Sequence, residues 1–249
     1  MLRNGTKQST FQWINTGKLP ILDLVVFMLA KSTVAVVLGD LKHHLFLKLF
    51  QLVSIRNRFI LSLGCVGSSA YLSIHNMCAW MIDTQGSDFL KEKYLHRLTK
   101  FELFSSYCLT EPDSGSDAQA MKSFAKDNGD HFVLNGSKAF ISGAGSSDVY
   151  IVMCKTGEKE VSCLLVEKDM AGVSFGANEH KLGWNVQPTR VVNFDDVKVP
   201  KENLIGKQGH GFKIALQGLD GGRLNIASCS LGGAAACIET TTQYIKQRK

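Results

Sequence analysis

The stretch YCLTEPDSGSD, Tyr107 to Asp117, decides how this chain is read. It begins as a short apolar run fit for a strand and ends in a polar turn of Pro112, Asp113, Ser114, Gly115 and Ser116. A strand that runs into small hydrogen-bonding residues brings backbone N–H groups and hydroxyls to a ligand's polar edge. A second strand end of the same kind lies downstream at Phe140-Ile-Ser142, where an aromatic ring joins the hydroxyl. Together the two ends offer a ring to stack on and donors along an edge, which a flat heteroaromatic ligand needs. By spacing alone, two polar strand ends on a barrel rim is the better reading.

Around these ends the pattern is that of a β-domain. His131 to Leu134 followed by Asn135-Gly136 reads as strand and tight turn. Further strands are predicted at Lys138–Ser142, Asp148–Cys154, Val161–Val166, Gly172–Phe175, Thr189–Phe194 and Val197–Val199. Short strands at this spacing, with turn signals between them, predict an antiparallel β-barrel or sandwich over 107–207.

Helices flank that domain. Ala70 to Ile82 is apolar nearly all round, so it is expected to be buried on several sides. His75 within it reads as a core histidine, because no second ligand is near. A short amphipathic helix is predicted over about Asp88 to Leu98. Residues 208–249 are helical, with Gly221-Gly222 expected to interrupt them. Their many small residues weaken a lone helix and call for close partners.

The chain has 249 residues, 45% of them apolar, enough for one or two domains with a sizeable core. The net charge is +6, all of it in residues 1–82, which hold eight Lys/Arg against Asp23 and Asp40; residues 83–249 carry twenty charges of each sign. These cations are scattered, not clustered on an aromatic-studded face, so nucleic acid is not an expected partner. Met1 to Lys18 is basic and free of acids, which loosely fits a mitochondrial presequence. Leu19 to Leu38 is apolar but interrupted by Asp23 and Lys31, so a membrane span is not the preferred reading. Seven cysteines without a CxxC pair indicate free buried thiols and a reducing compartment. No metal site is expected. The HExxH, P-loop and GxSxG patterns are missing, and Gly143-Ala-Gly145 lacks the third glycine of a dinucleotide turn.

The quoted stretch, continued through Ala118-Gln-Ala120, resembles the flavin-side signature of the acyl-CoA dehydrogenases. Further matching blocks follow in the family's order: Leu134–Ser142, Phe194–Pro200, Gly209–Phe212 and Leu219–Arg223. Ser73–Asp83 and Gly183–Arg190 are similar to the branch acting on isobutyryl-CoA-like thioesters. The resemblance implies an α+β chain. Residues 1–68 would be unassigned, 69–106 the remnant of an N-terminal helical domain, 107–207 the middle β-domain, and 208–249 the first helix of a truncated C-terminal helical domain.

It also implies FAD, an acyl-CoA substrate of the short branched-chain type in branched-chain amino-acid breakdown, electron-transfer flavoprotein as partner, a homotetramer and the mitochondrial matrix. Carried over by motif, Tyr107, Cys108, Leu109, Thr110, Ser116, Phe140, Ile141, Ser142 and Arg248 would hold the cofactor. Ser116, Asp220, Gly221, Gly222 and Arg223 would border the substrate. No catalytic residue is assigned: the family's base is expected beyond residue 249, and Gly222 occupies the position where some branches carry a glutamate. The alternative is a non-catalytic member, at most a flavin- or partner-binding module. Asp113 stands where the family has glycine, so a strained turn, or repulsion of phosphate, is expected there.

Overall fold

The computed structural model describes residues 61–248. The expectations for residues 1–60, the presequence-like start and Leu19–Leu38 among them, lie outside the described residues. Among those that are described, no helix is long and apolar enough to cross a membrane.

Helix α1 spans Val66–Gln85. Cys65 caps its start, its Sγ accepting from the Ser68 N–H, and Gly86 follows its end. Its buried residues run round several sides, as its composition predicts, because the sheet, α2 and α3 all pack on it. Segment α2 comprises the α-helical turns Asp88–Leu90 and His96–Thr99 on either side of a π-helical turn, Lys91–Leu95. Ser87 caps it, accepting from the Leu90 N–H.

The strands are β1 Ser105–Cys108, β2 Phe124–Asp127, β3 His131–Ser142, β4 Val149–Lys155, β5 Val161–Glu167, β6 Val173–Phe175, β7 Thr189–Pro200 and β8 Leu204–Ile205. They form one sheet in the order β6-β7-β3-β2-β4-β5-β8, with β1 pairing to β4. Most ladders are antiparallel; β1 runs parallel to β4, and β2 meets β4 in a single parallel pairing.

Strand β4 explains the layering. Val149, Ile151 and Met153 face the helices, with Met81, Leu90, Tyr94 and Ile214 in the same cluster. Tyr150, Val152 and Cys154 face the other way, among Phe132, Leu134, Val192 and Phe194. Both faces are covered, so β4 and β5 read as continuous apolar runs without alternation. Each fully buried side chain of this size contributes about 1.5–3 kcal/mol relative to exposure.

Three expectations are corrected. Asn135-Gly136 is no turn. The strand runs through it as a bulge, with Gly136 at φ 136° and a register shift against β7. A Cβ at Gly136 would lie 2.4 Å from Ser123 Oγ, so only glycine lets the β2 side approach. The Asn135 side chain donates to Asp196 Oδ1 and accepts from the Asp196 backbone N–H, each at 2.9 Å, which locks bulge to bulge. For the same reason Thr189–Phe194 and Val197–Val199 are one strand.

Gly221-Gly222 does not interrupt the C-terminal helix either. Helix α3 is continuous over Gly211–Gln247. Some of its glycines serve close packing: a Cβ on Gly218 would fall 2.1 Å from Met81 Cε of α1, although nothing lies within 4 Å of one on Gly221. Contact of that kind outweighs the roughly 1 kcal/mol that each glycine costs a helix. Third, Asp113 does not strain its turn. Its backbone is outside the left-handed region, and its carboxylate pairs with Lys122 at 2.8 Å.

Candidate functional site

His75 and Ser105 tie α1 to β1. Nδ1 of His75 accepts from the Ser105 N–H at 3.2 Å, so the proton sits on Nε2, which donates to the Leu98 carbonyl at 3.1 Å. Phe101 and Phe104 pack on the ring. Burial, outweighing the Leu98 bond and the Asp148 charge, lowers its pKa to about 4. The histidine is therefore neutral and fully partnered, as read from the sequence.

The next residue along β1 begins the site. Ser106 Oγ donates to the Ser142 carbonyl at 2.6 Å and lies 2.8 Å from Ser147 Oγ, which Tyr71 reaches at 3.0 Å. Farther on, the Ala139 N–H donates to the Thr110 carbonyl at 2.9 Å. These bonds hold the ends of β1 and β3 side by side, and Thr110, Phe140 and Ser142 come together. Phe140 has a left-handed backbone, φ 56°, and its ring is 65% exposed. That conformation costs about 1–2 kcal/mol and holds the ring outward.

Phe140 and Ser142 line an open groove of about 450 Å³ with Lys181, Gly183, Trp184, Gln187 and Thr189. The Gln187 side-chain nitrogen donates to Ser142 Oγ at 3.4 Å, and its buried side-chain oxygen has no partner among the described residues. Lys181 donates to the Gln187 carbonyl at 2.8 Å and to Thr189 Oγ1 at 2.6 Å, folding the 181–189 loop back on itself. Burial holds its ammonium below the usual lysine range. No acid lines the groove. Sequence reasoning missed Lys181, Trp184, Gln187 and Thr189 as site residues. They lie in and at the end of a loop whose Gln187 is 45 residues beyond Ser142, and the matching block Gly183–Arg190 covers all of them but Lys181.

The other expected site residues are placed as follows. The side chains of Cys108, Leu109 and Ile141 are buried in the cores, so only their backbone is left to face a ligand. Tyr107 packs against the helix-side core with its hydroxyl buried and unbonded. Ser116 is exposed on the turn, whereas its neighbour Ser114 is buried and donates to the Asp117 carbonyl. Asp220 and Arg223 pair at 2.5 Å on the exposed side of α3, and Gly222 faces Met77 of α1. None of these four α3 residues, 220–223, lines the groove. Arg248 is exposed just past the end of α3. At about 1.5 Å per residue it lies roughly 50 Å along the helix from the part packed on the sheet. The structure does not bring it to Thr110 and Ser142. Among the described residues no cluster could hold a metal.

Residues 106–197 match the model of the acyl-CoA dehydrogenase middle domain, and 209–249 that of the C-terminal domain. The chain belongs to the acyl-CoA dehydrogenase family. Mitochondrial isobutyryl-CoA dehydrogenase of Dictyostelium discoideum is 55% identical over 188 residues, covering 74% of this chain and 45% of that protein. The Bos taurus protein of the same name is 53% identical over 192 residues, covering 76% and 46%. A solved glutaryl-coenzyme A dehydrogenase in complex with glutaryl-CoA superimposes with a TM-score of 0.84 at 33% identity, covering 96% of this chain and 62% of that one. This chain thus spans about half the length of the curated relatives it matches.

The family's enzymes are oxidoreductases that use FAD. The groove fits such a group on its own terms. Phe140 and Trp184 offer ring faces, the hydroxyl-bearing Ser142 and Thr189 line the groove with them, and the orphaned Gln187 oxygen is an acceptor awaiting a donor.

Proposed function

We propose that the chain carries the flavin-binding half of an enzyme that dehydrogenates short branched-chain acyl-CoA thioesters of the isobutyryl type between Cα and Cβ. The observation that carries this is the bond from the Ala139 N–H to the Thr110 carbonyl, which sets the Thr110 backbone beside the residue preceding the outward ring of Phe140. Thr110 and Ser142 would hydrogen-bond the flavin's polar edge, and Phe140 and Trp184 would cover its ring and keep water away from it. FAD, when bound, supplies the acceptor for the hydride leaving Cβ. The α-proton goes to a carboxylate, and since the groove lacks an acid, that base would come from outside it. Ser116 and the Asp220–Arg223 segment would border the CoA arm and the acyl group, and Arg248, far from this chain's own groove, would meet the phosphate of a cofactor on another copy, where a guanidinium suits the charge.

The middle-domain boundaries at 107 and 207 belong to the same proposal. So do electron-transfer flavoprotein as the electron acceptor, a homotetramer, and the mitochondrial matrix, which the names of the two isobutyryl-CoA dehydrogenases support. The second reading is a flavin-binding module without dehydrogenase activity, favoured by the groove's lack of an acid. One experiment separates them. The purified 249-residue chain is loaded with FAD and mixed with isobutyryl-CoA without oxygen. Bleaching of the flavin supports the dehydrogenase; a stable yellow complex that isobutyryl-CoA leaves unchanged supports the module; a chain that takes up no flavin refutes both.

A further inference from the structure

Lys138 is a lysine with no exposed side-chain surface, in the middle of strand β3. Its ammonium donates to Glu111 Oε1 at 2.8 Å and to the Leu109 carbonyl at 3.0 Å. Glu111 is 5% exposed and also accepts from the N–H groups of Lys122, at 2.5 Å, and Ser123, at 3.0 Å. Burial pushes its carboxyl up, but these bonds outweigh burial and hold it below the usual glutamate range.

A buried ion pair is poor evidence for stability. Well-packed apolar residues of similar volume often serve as well or better, and buried pairs are retained where they impose one geometry. The geometry here is specific. Leu109, Thr110 and Glu111 are each tied to Lys138 or Ala139, two through the ammonium and one through the bond from Ala139 to Thr110. Directly beside these ties, β3 loses register with β7 between Lys138 and Ile141, and Phe140 turns into its left-handed conformation. Ladder bonds do not hold the bulge, so something else must.

We propose that Lys138 and Glu111 are positioning residues for the flavin: the buried pair clamps the end of β1 to β3, so that Thr110 and Phe140 are presented together at the groove. The clamp rests on the reading of the groove as the flavin site. It also fastens the 112–121 turn, since Glu111 grips both its base and its return at Lys122 and Ser123.

The test uses the full chain with Lys138→Met and Glu111→Gln combined. Glutamine keeps an acceptor for the Lys122 and Ser123 N–H groups, and the double variant buries no charge. Lys138→Met alone leaves an unpaired buried carboxylate and serves as the unfolding control. Thermal unfolding, FAD affinity from quenching of flavin fluorescence, and the shape of the bound flavin spectrum are measured. The double variant is expected to unfold within a few degrees of the wild type yet bind FAD at least tenfold more weakly, with a spectrum closer to that of free FAD. Wild-type affinity and spectrum in the double variant overturn the clamp while leaving the flavin site intact. Loss of folding in the double variant also overturns it, because the pair is then structural. Failure of the wild type to bind FAD removes the site reading and the clamp with it.

Discussion

Replacing His75 by glutamine should remove most of the chain's loss of stability between pH 7.5 and pH 5. The histidine is buried and neutral, with its Nδ1 already accepting from the Ser105 N–H, so a proton there would break that bond and charge an apolar site. Burial sets its pKa in the folded chain at about 4, against 6.5 unfolded. The folded value is the depressed one. The stabilisation is therefore complete above pH 6.5 and is lost progressively as the pH falls towards 4. At 1.36 kcal/mol per pH unit, the full loss is about 3 kcal/mol, and about 2 kcal/mol of it has gone by pH 5. Glu111 and Glu167 also have depressed values, but carboxylates of that kind lose their contribution mainly below pH 5. The interval from 7.5 to 5 thus isolates the histidine. Urea unfolding of wild type and His75→Gln at both pH values is the assay. Glutamine keeps a donor for the Leu98 carbonyl and cannot titrate, so the variant should start about 1–2 kcal/mol less stable and then hardly change. Parallel losses in the two proteins would refute the buried neutral imidazole.

Two further substitutions probe the site and the helix that backs it. Phe140→Gly should leave stability unchanged or raise it by up to about 1 kcal/mol, because a left-handed non-glycine backbone costs about 1–2 kcal/mol and the ring is largely exposed. The same change should weaken FAD binding by about three- to tenfold, the worth of one aromatic contact, measured by flavin fluorescence titration. Gly218→Val should cost about 2 kcal/mol or more in chemical denaturation, because its Cβ would collide with the buried Met81. The same substitution at the open Gly221 should cost much less, since nothing lies within 4 Å of its Cβ.

Much of the fold was legible in local pattern. The runs Asp148–Cys154 and Val161–Val166 are unmistakable because both of their faces are covered, and α1 announces itself by being apolar all round. Strand β2 was not legible: of Phe124–Asp127 only Ala125 is buried, so it carries almost no hydrophobic signal and exists through its pairing with β3. Asn135-Gly136 misled because the same dipeptide suits a tight turn and a bulge. Only the partner strand decides between them. At the site, Thr110, Phe140 and Ser142 were visible as polar strand ends, and the family's motif order named them. Lys138 left a trace that went unread, a lone cation in an apolar strand, and its partner Glu111 lies 27 residues upstream.

The sequence by itself determined the family, the helix–sheet–helix order and which strand ends carry hydroxyls and a ring, because these are short-range properties of residue type and spacing. The tertiary structure alone decided that the end of β1 meets β3, that the 181–189 loop closes over Ser142, and that a buried ion pair joins Glu111 to Lys138. It also decided that Gly218 of α3 is a contact point and that Gly221-Gly222 is no break. Each of these depends on contacts between residues distant along the chain, where burial and close packing outweigh local preference. For Tyr107–Asp117 the outcome is specific: Leu109 and Glu111 within it are bonded to Lys138, a buried lysine of another strand.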